Sequence, residues 1–217
     1  MRRWIFLGII MVCLWALPAQ SGDLEDLING VRAHYGKAKD LTVDFSQVSL
    51  VKQMGGQQRT AAGTIYFARP DKMRWVFKAP NPKEIIADGT NLVMYYVEEK
   101  KAFRIQNAAN YNVRAPMAVL TGEIDVKDSY QASLLEDAGG LARIKLEPKK
   151  PMGFSYLVLH IQRSAFTVEK IETVDAYGNT TTLTVQNQRF NTKIPPGKFI
   201  FVPGPGVEMS DSPAMDF

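Results

Sequence analysis

The chain has 217 residues, 46% of them apolar, and a formal charge of +4 from 26 basic and 22 acidic side chains. That length suits one domain, or one large all-β domain. The charge excess is small and no Lys/Arg run is interleaved with stacking aromatics, so nucleic acid is not an expected partner.

Arg2 and Arg3 precede an almost unbroken apolar run, Trp4 to Leu17, which gives way to Pro18, Ala19, Ser21 and Gly22. A basic start, an apolar run and a small-residue end make residues 1–21 a secretory signal peptide, with cleavage after Ala19 or Ser21. The run is shorter than the roughly 20 apolar residues of a spanning helix. Export from the cytoplasm is therefore expected. Cys13, the only cysteine, lies inside this leader. Val12 stands before it where acylation would call for a small residue, so Cys13 reads as filler. The remaining chain has no disulfide or thiol chemistry. Loss of Arg2 and Arg3 lowers the formal charge from +4 to +2. Residues 22–217 are read as a single domain.

Leu24, Leu27, Ile28, Val31, Tyr35 and Ala38 recur at helical spacing behind Asp23, which predicts one amphipathic helix over about 24–38. The period then changes to two. Strands are predicted at about 42–53, 60–69, 72–78, 83–88, 91–97 and 101–106. A second set is predicted at about 130–136, 141–147, 154–163, 166–175, 180–189 and 198–202. Arg69-Pro70-Asp71, Asp88-Gly89, Gly139-Gly140 and Tyr177-Gly178-Asn179 separate them, a pattern that predicts an antiparallel sandwich or barrel. Between the sets, Pro116, Met117, Val119 and Leu120, ended by Gly122, predict a short apolar helix with a glycine cap.

Alternation assigns the faces. Val43 and Phe45, then Ile65 and Phe67, then Met73, Trp75 and Phe77 fall on one side. Leu92, Met94 and Tyr96 oppose Val93, Tyr95 and Val97, so that strand is apolar on both faces. Such stripes fit an ordinary β-core. Pattern alone favours that reading, against which stands an apolar ligand surface, since Phe, Trp and adaptable Met occupy neighbouring strands. Arg69 follows Ile65 and Phe67 on the same face. It either reaches water from the strand end or bonds the carbonyls ending the 115–121 helix, where it would act as a latch.

Chemistry-bearing patterns are scarce. His34 and His160 are isolated and read as solvated, which disfavours a zinc site. No GxSxG, HExxH, Walker or SxxK pattern occurs. Gly204-Pro205-Gly206 reads as tail, and Glu98-Glu99-Lys100-Lys101 as a solvated hairpin tip.

Several segments together resemble the periplasmic outer-membrane lipoprotein carrier family LolA. They are Asp44-Phe45-Ser46-Gln47, the run from Gly63 to Trp75, Pro80, Asp88-Gly89-Thr90-Asn91-Leu92 and Tyr95-Tyr96. Pro116 to Leu120, Leu146-Glu147-Pro148-Lys149, Asp175-Ala176-Tyr177-Gly178-Asn179, Phe199-Ile200-Phe201 and Pro203 complete the order. The resemblance implies a mainly β (α+β) fold: an open antiparallel half-barrel of about eleven strands under a helical lid. It implies a carrier without enzymatic activity, metal or cofactor, expected to be a monomer. Acyl chains of lipoproteins would bind against Val43, Phe45, Ile65, Phe67, Met73, Trp75, Phe77, Leu92, Met94 and Tyr96. Leu27, Val31, Pro116, Met117 and Leu120 would form the lid, and Arg69 would tie barrel to lid. An inner-membrane ABC-type lipoprotein releasing complex would supply the cargo, and an outer-membrane receptor, where one exists, would accept it. The segment after Pro203 departs from the pattern. A lipid-sensing envelope regulator of the same fold and an envelope hydrolase are the alternatives.

Overall fold

The computed structural model describes residues 20–52, 55–106 and 125–211. Most of the expected leader, Cys13 included, and the segment carrying Pro116, Met117 and Leu120 lie outside the described residues. None of the described helices is long and apolar enough to cross a membrane.

The N-terminal helix, α1 (Gln20–Gly36), carries Asp23 in its first turn, where a carboxylate matches the helix dipole, and His34 in its last. It begins inside the last residues assigned to the leader and ends before Ala38. Leu27, Val31 and Tyr35, four residues apart, form its buried stripe.

Twelve described strands form one sheet. The first six are β1 (Asp40–Val51), β2 (Gln57–Ala68), β3 (Lys72–Phe77), β4 (Lys83–Ala87), β5 (Leu92–Tyr96) and β6 (Lys101–Ile105). A short helix, α2 (Val126–Ser129), precedes β7 (Tyr130–Ala138), β8 (Leu141–Pro148), β9 (Tyr156–Gln162), β10 (Thr167–Val174), β11 (Thr180–Phe190) and β12 (Glu208–Asp211). The order is β12-β6-β5-β4-β3-β2-β1-β11-β10-β9-β8-β7. Two meanders thus spread from the central β1–β11 pair. Their outer strands, β12 and β7, do not meet, so the sheet stays open.

One row explains how large side chains share the inner face. Phe45, Gly63 and Phe77 are in register across β1, β2 and β3. A Cβ on Gly63 would stand 1.9 Å from the Val76 carbonyl oxygen and 2.9 Å from Phe45 Cε1. Its absence lets the Phe45 and Phe77 rings meet edge to face over β2, centroids 5.2 Å apart.

The C-terminal segment departs from expectation. Phe199 to Val202 alternate in burial, with Phe199 1% exposed but Ile200 57% and Val202 77%. They form no strand, because Pro195, Pro196 and Pro203 break the segment and remove ladder donors. A 3₁₀ turn, Pro196–Phe199, lies there instead. The segment straps the outer face of the sheet. Arg74 Nη1 donates to the Lys198 carbonyl at 2.9 Å, and Lys198 Nζ sits 4.3 Å from the Tyr66 ring centroid. Phe201 packs on Tyr95 at 5.2 Å. Gly204–Gly206 is not tail but the turn leading to β12, which pairs parallel with β6 and breaks the expected all-antiparallel pattern. The strap starts at Asp40. That carboxylate accepts from the Thr192 N–H (2.6 Å), the Thr192 hydroxyl (2.9 Å) and the Lys193 N–H (3.0 Å).

Neither histidine is simply solvated. His160 is 7% exposed, beside Glu172 at 2.7 Å. Its strand neighbours Arg143 and Lys170 flank it, and long charged side chains cover apolar surface with their stems. Burial lowers its pKa against the opposing effect of Glu172. His34 packs edge-on against Tyr35 and Phe190, and burial lowers its pKa as well. The Glu98–Lys101 tip is exposed, as expected.

Candidate functional site

The inner face of the sheet carries one continuous apolar cluster. It gathers Val43, Phe45, Ile65, Phe67, Met73, Trp75, Phe77 and Leu92 with Leu27, Val31 and Tyr35 of α1; Met94 packs against it half-buried. Phe45, Trp75 and Phe77 form its aromatic centre, Phe45 lying 5.4 Å from Trp75 and Trp75 stacking on Phe77 at 5.9 Å. The Trp75 indole N–H donates to Met73 Sδ at 2.7 Å. Tyr96 stands apart, half-buried and edge-on to Phe103 at the end of β5.

The other wing of the sheet contributes as much, and the sequence reading overlooked it. Ile144 and Leu146 of β8, Leu157, Leu159 and Ile161 of β9, and Val168 and Ile171 of β10 belong to the same cluster. Alternation within 141–147 and 154–163 was the available signal. Between this wing and α1 lies a cavity of about 280 Å³, its apolar walls made by Ile28, Val31, Ile144, Leu146, Leu159 and Ile161. Its size is near the lower end of the roughly 300–1,000 Å³ typical of ligand sites. Of the described residues expected at the cavity or lid, Val31 alone borders this space.

Polar ties hold α1 over it. Arg32 Nη1 meets Asp125 Oδ2 at 3.1 Å, and Lys127 Nζ meets Glu25 Oε1 at 2.5 Å; all four side chains are exposed. Exposed pairs of this kind contribute about 0–1 kcal/mol each. A deeper tie comes from Tyr35. Its hydroxyl accepts from the Val168 N–H at 2.9 Å and donates to Gln188 Oε1 at 2.7 Å. A bulge in the β10–β9 pairing falls at Val168, where the tyrosine hydroxyl serves as its N–H acceptor.

Arg69 is half-buried just beyond β2, and its Nε donates to the Ala38 carbonyl at 2.9 Å. Its described partner is thus the chain leaving α1. The 115–121 segment, its expected partner, lies outside the described residues. Among the described residues no three His, Cys, Asp or Glu side chains gather as metal ligands.

Residues 36–202 match the family described as outer membrane lipoprotein carrier protein LolA. An outer-membrane lipoprotein carrier protein of Chromobacterium violaceum is 29% identical over 195 residues, covering 89% of this chain and 90% of its own. One from Bordetella avium is 27% identical over 215 residues, covering 96% and 99%. Among solved structures, an uncharacterized conserved protein from Thermus thermophilus superposes with a TM-score of 0.56 at 10% identity. It covers 88% of this chain and 99% of that one, and shares the fold alone.

Proposed function

Because this chain belongs to the LolA family of outer membrane lipoprotein carrier proteins, we propose that it is a non-catalytic periplasmic carrier for the acyl chains of lipoproteins. In this reading residues 1–21 direct export. An inner-membrane ABC-type releasing complex hands over the cargo, and the outer membrane, through a receptor where one exists, receives it. The protein works as a monomer.

The observation that carries the reading is the continuous apolar cluster on the inner face of an open sheet, covered by a helix whose margin is held by exposed ion pairs. Each acyl methylene in water costs about 0.8 kcal/mol, so a lipoprotein's chains together cost tens of kcal/mol. They must be buried to cross an aqueous gap, yet released at its far side. Self-burial reconciles the two. With no cargo, α1 covers the apolar face with Leu27, Val31 and Tyr35. Cargo then displaces protein rather than water, and net affinity is the small difference between two burials. Arg69 favours the closed state in this scheme by clasping the backbone next to α1.

The test is extraction from spheroplasts or inner-membrane vesicles that carry a labelled lipoprotein. The acylated protein is expected in the soluble fraction, bound to the carrier, while a cargo whose acylated cysteine is replaced by serine gains no such complex. Equal capture of both cargoes, or none of the acylated one, would refute the proposal.

A further inference from the structure

The inner face changes character at one end. Beyond Phe77 the cluster opens into a mouth of about 290 Å³, lined among others by Gln47, Ser49, Arg59, Lys78 and Lys83. Three of its lining side chains are cationic and none is a carboxylate. Glu98 and Glu99 lie in the adjoining hollow on the Tyr96 side of Lys83. Phe77 belongs to both regions, to the aromatic cluster and to the mouth.

Lys83 is the singular member. Its Nζ lies 4.8 Å from the Phe77 ring centroid, at the boundary between apolar and polar surface. Among the described residues no carboxylate is paired with it. Glu84, next in sequence, points to the outer face and pairs with Arg74. Burial lowers the Lys83 pKa. Along the adjoining floor, Gln47 Nε2 donates to Ser49 Oγ at 3.1 Å, and Ser49 Oγ shares a hydrogen bond with Thr181 Oγ1, also at 3.1 Å. A half-buried ammonium that no described carboxylate pairs, in a basic mouth bordering the apolar cluster at Phe77, is a site for an anion attached to hydrocarbon.

We propose that this mouth binds the phosphodiester of an anionic diacyl phospholipid whose chains enter the apolar cluster past Phe77. The inference rests on the acyl-binding reading above and extends it to a second ligand class. The phosphate sits within one glycerol of the chains, so chains at Phe77 bring it to Lys83. Bound phosphate raises the Lys83 pKa again.

Calorimetric titration of the purified protein tests this with dihexanoyl phosphatidylglycerol, dihexanoylglycerol and inorganic phosphate at low salt. The charged lipid is expected to bind about tenfold tighter than the uncharged one, the value of one charge-assisted bond. Free phosphate alone is expected to give no measurable heat. Lys83→Met removes most of that preference and leaves dihexanoylglycerol affinity unchanged; Lys78→Gln, at an exposed position, reduces it partly. Equal affinity of the two lipids would overturn the proposal, as would a full preference in Lys83→Met. Phosphate binding as tight as the charged lipid would overturn the lipid assignment. Failure of both lipids to bind would instead strike at the acyl-carrier reading.

Discussion

Tyr35→Phe removes one oxygen from the joint between α1 and the sheet. The ring is 1% exposed and packs near Phe190 at 5.7 Å, contacts that phenylalanine retains. What disappears is the acceptor for the Val168 N–H and the donor to Gln188 Oε1. Gln188 Nε2 keeps its 2.9 Å bond to the Val168 carbonyl, so the bulge persists with an orphaned N–H. A buried donor left unsatisfied costs about 1–3 kcal/mol. At about 2–4 °C per kcal/mol for a domain of this size, the melting midpoint falls by roughly 2–12 °C.

Urea unfolding followed by Trp75 fluorescence measures this, since Trp75 is the sole tryptophan after residue 21. The midpoint should fall with the slope unchanged, and the Val168 amide should exchange faster. The same residue shapes the alkaline limb. Burial raises the Tyr35 pKa, so its contribution is full below about pH 10 and is lost as pH rises through the raised folded value. The phenylalanine variant lacks that loss. A stability change under about 0.5 kcal/mol, with unaltered Val168 exchange, would refute the assignment of Tyr35 as the joint between helix and sheet.

Gly63→Ala forces a Cβ against the Val76 carbonyl and Phe45, neither free to retreat. Its stability loss should reach or exceed the top of the roughly 1–3 kcal/mol usual for overpacking, and a loss under about 1 kcal/mol would contradict the close approach. Trp75→Asp sets a carboxylate beside Phe45 and Phe77. Capture of acylated cargo should fall by more than about tenfold while export continues, with circular dichroism checking the fold; normal capture would detach Trp75 from the site. Arg69→Leu should slow cargo handover several-fold, because the clasp is lost and apolar surface gained; handover at the parental rate would dismiss the clasp. Burial lowers the pKa of both His34 and His160, so their contribution is complete above about pH 6.5 and declines as pH falls through the lowered values. Acid denaturation should therefore begin at higher pH in the parent than in His160→Gln, and identical acid limbs would contradict the burial.

Much of the architecture was legible because period-two burial is local. Met73, Trp75 and Phe77 are buried on one side of β3 while Arg74 and Val76 alternate with them, as the sequence alone dictates. α1 announced itself likewise through residues four apart. Other features depended on distant neighbours. Phe199 to Val202 carry a strand's alternation, yet none of the described strands pairs with them and Pro195, Pro196 and Pro203 flank them; only the packed sheet reveals them as a strap. His160 looked solvated because nothing in its own segment covers it; the side chains of β8 and β10 do. The cavity under α1 joins Ile28 and Val31 to Ile144 and Ile161, more than a hundred residues apart. The mouth collects Arg59, Lys78 and Lys83 from three strand ends. Residue spacing determined which faces are apolar, since hydration is a property of each side chain. Which apolar faces meet, and where they leave a gap, depended on how the whole sheet packs, and no single segment encodes that.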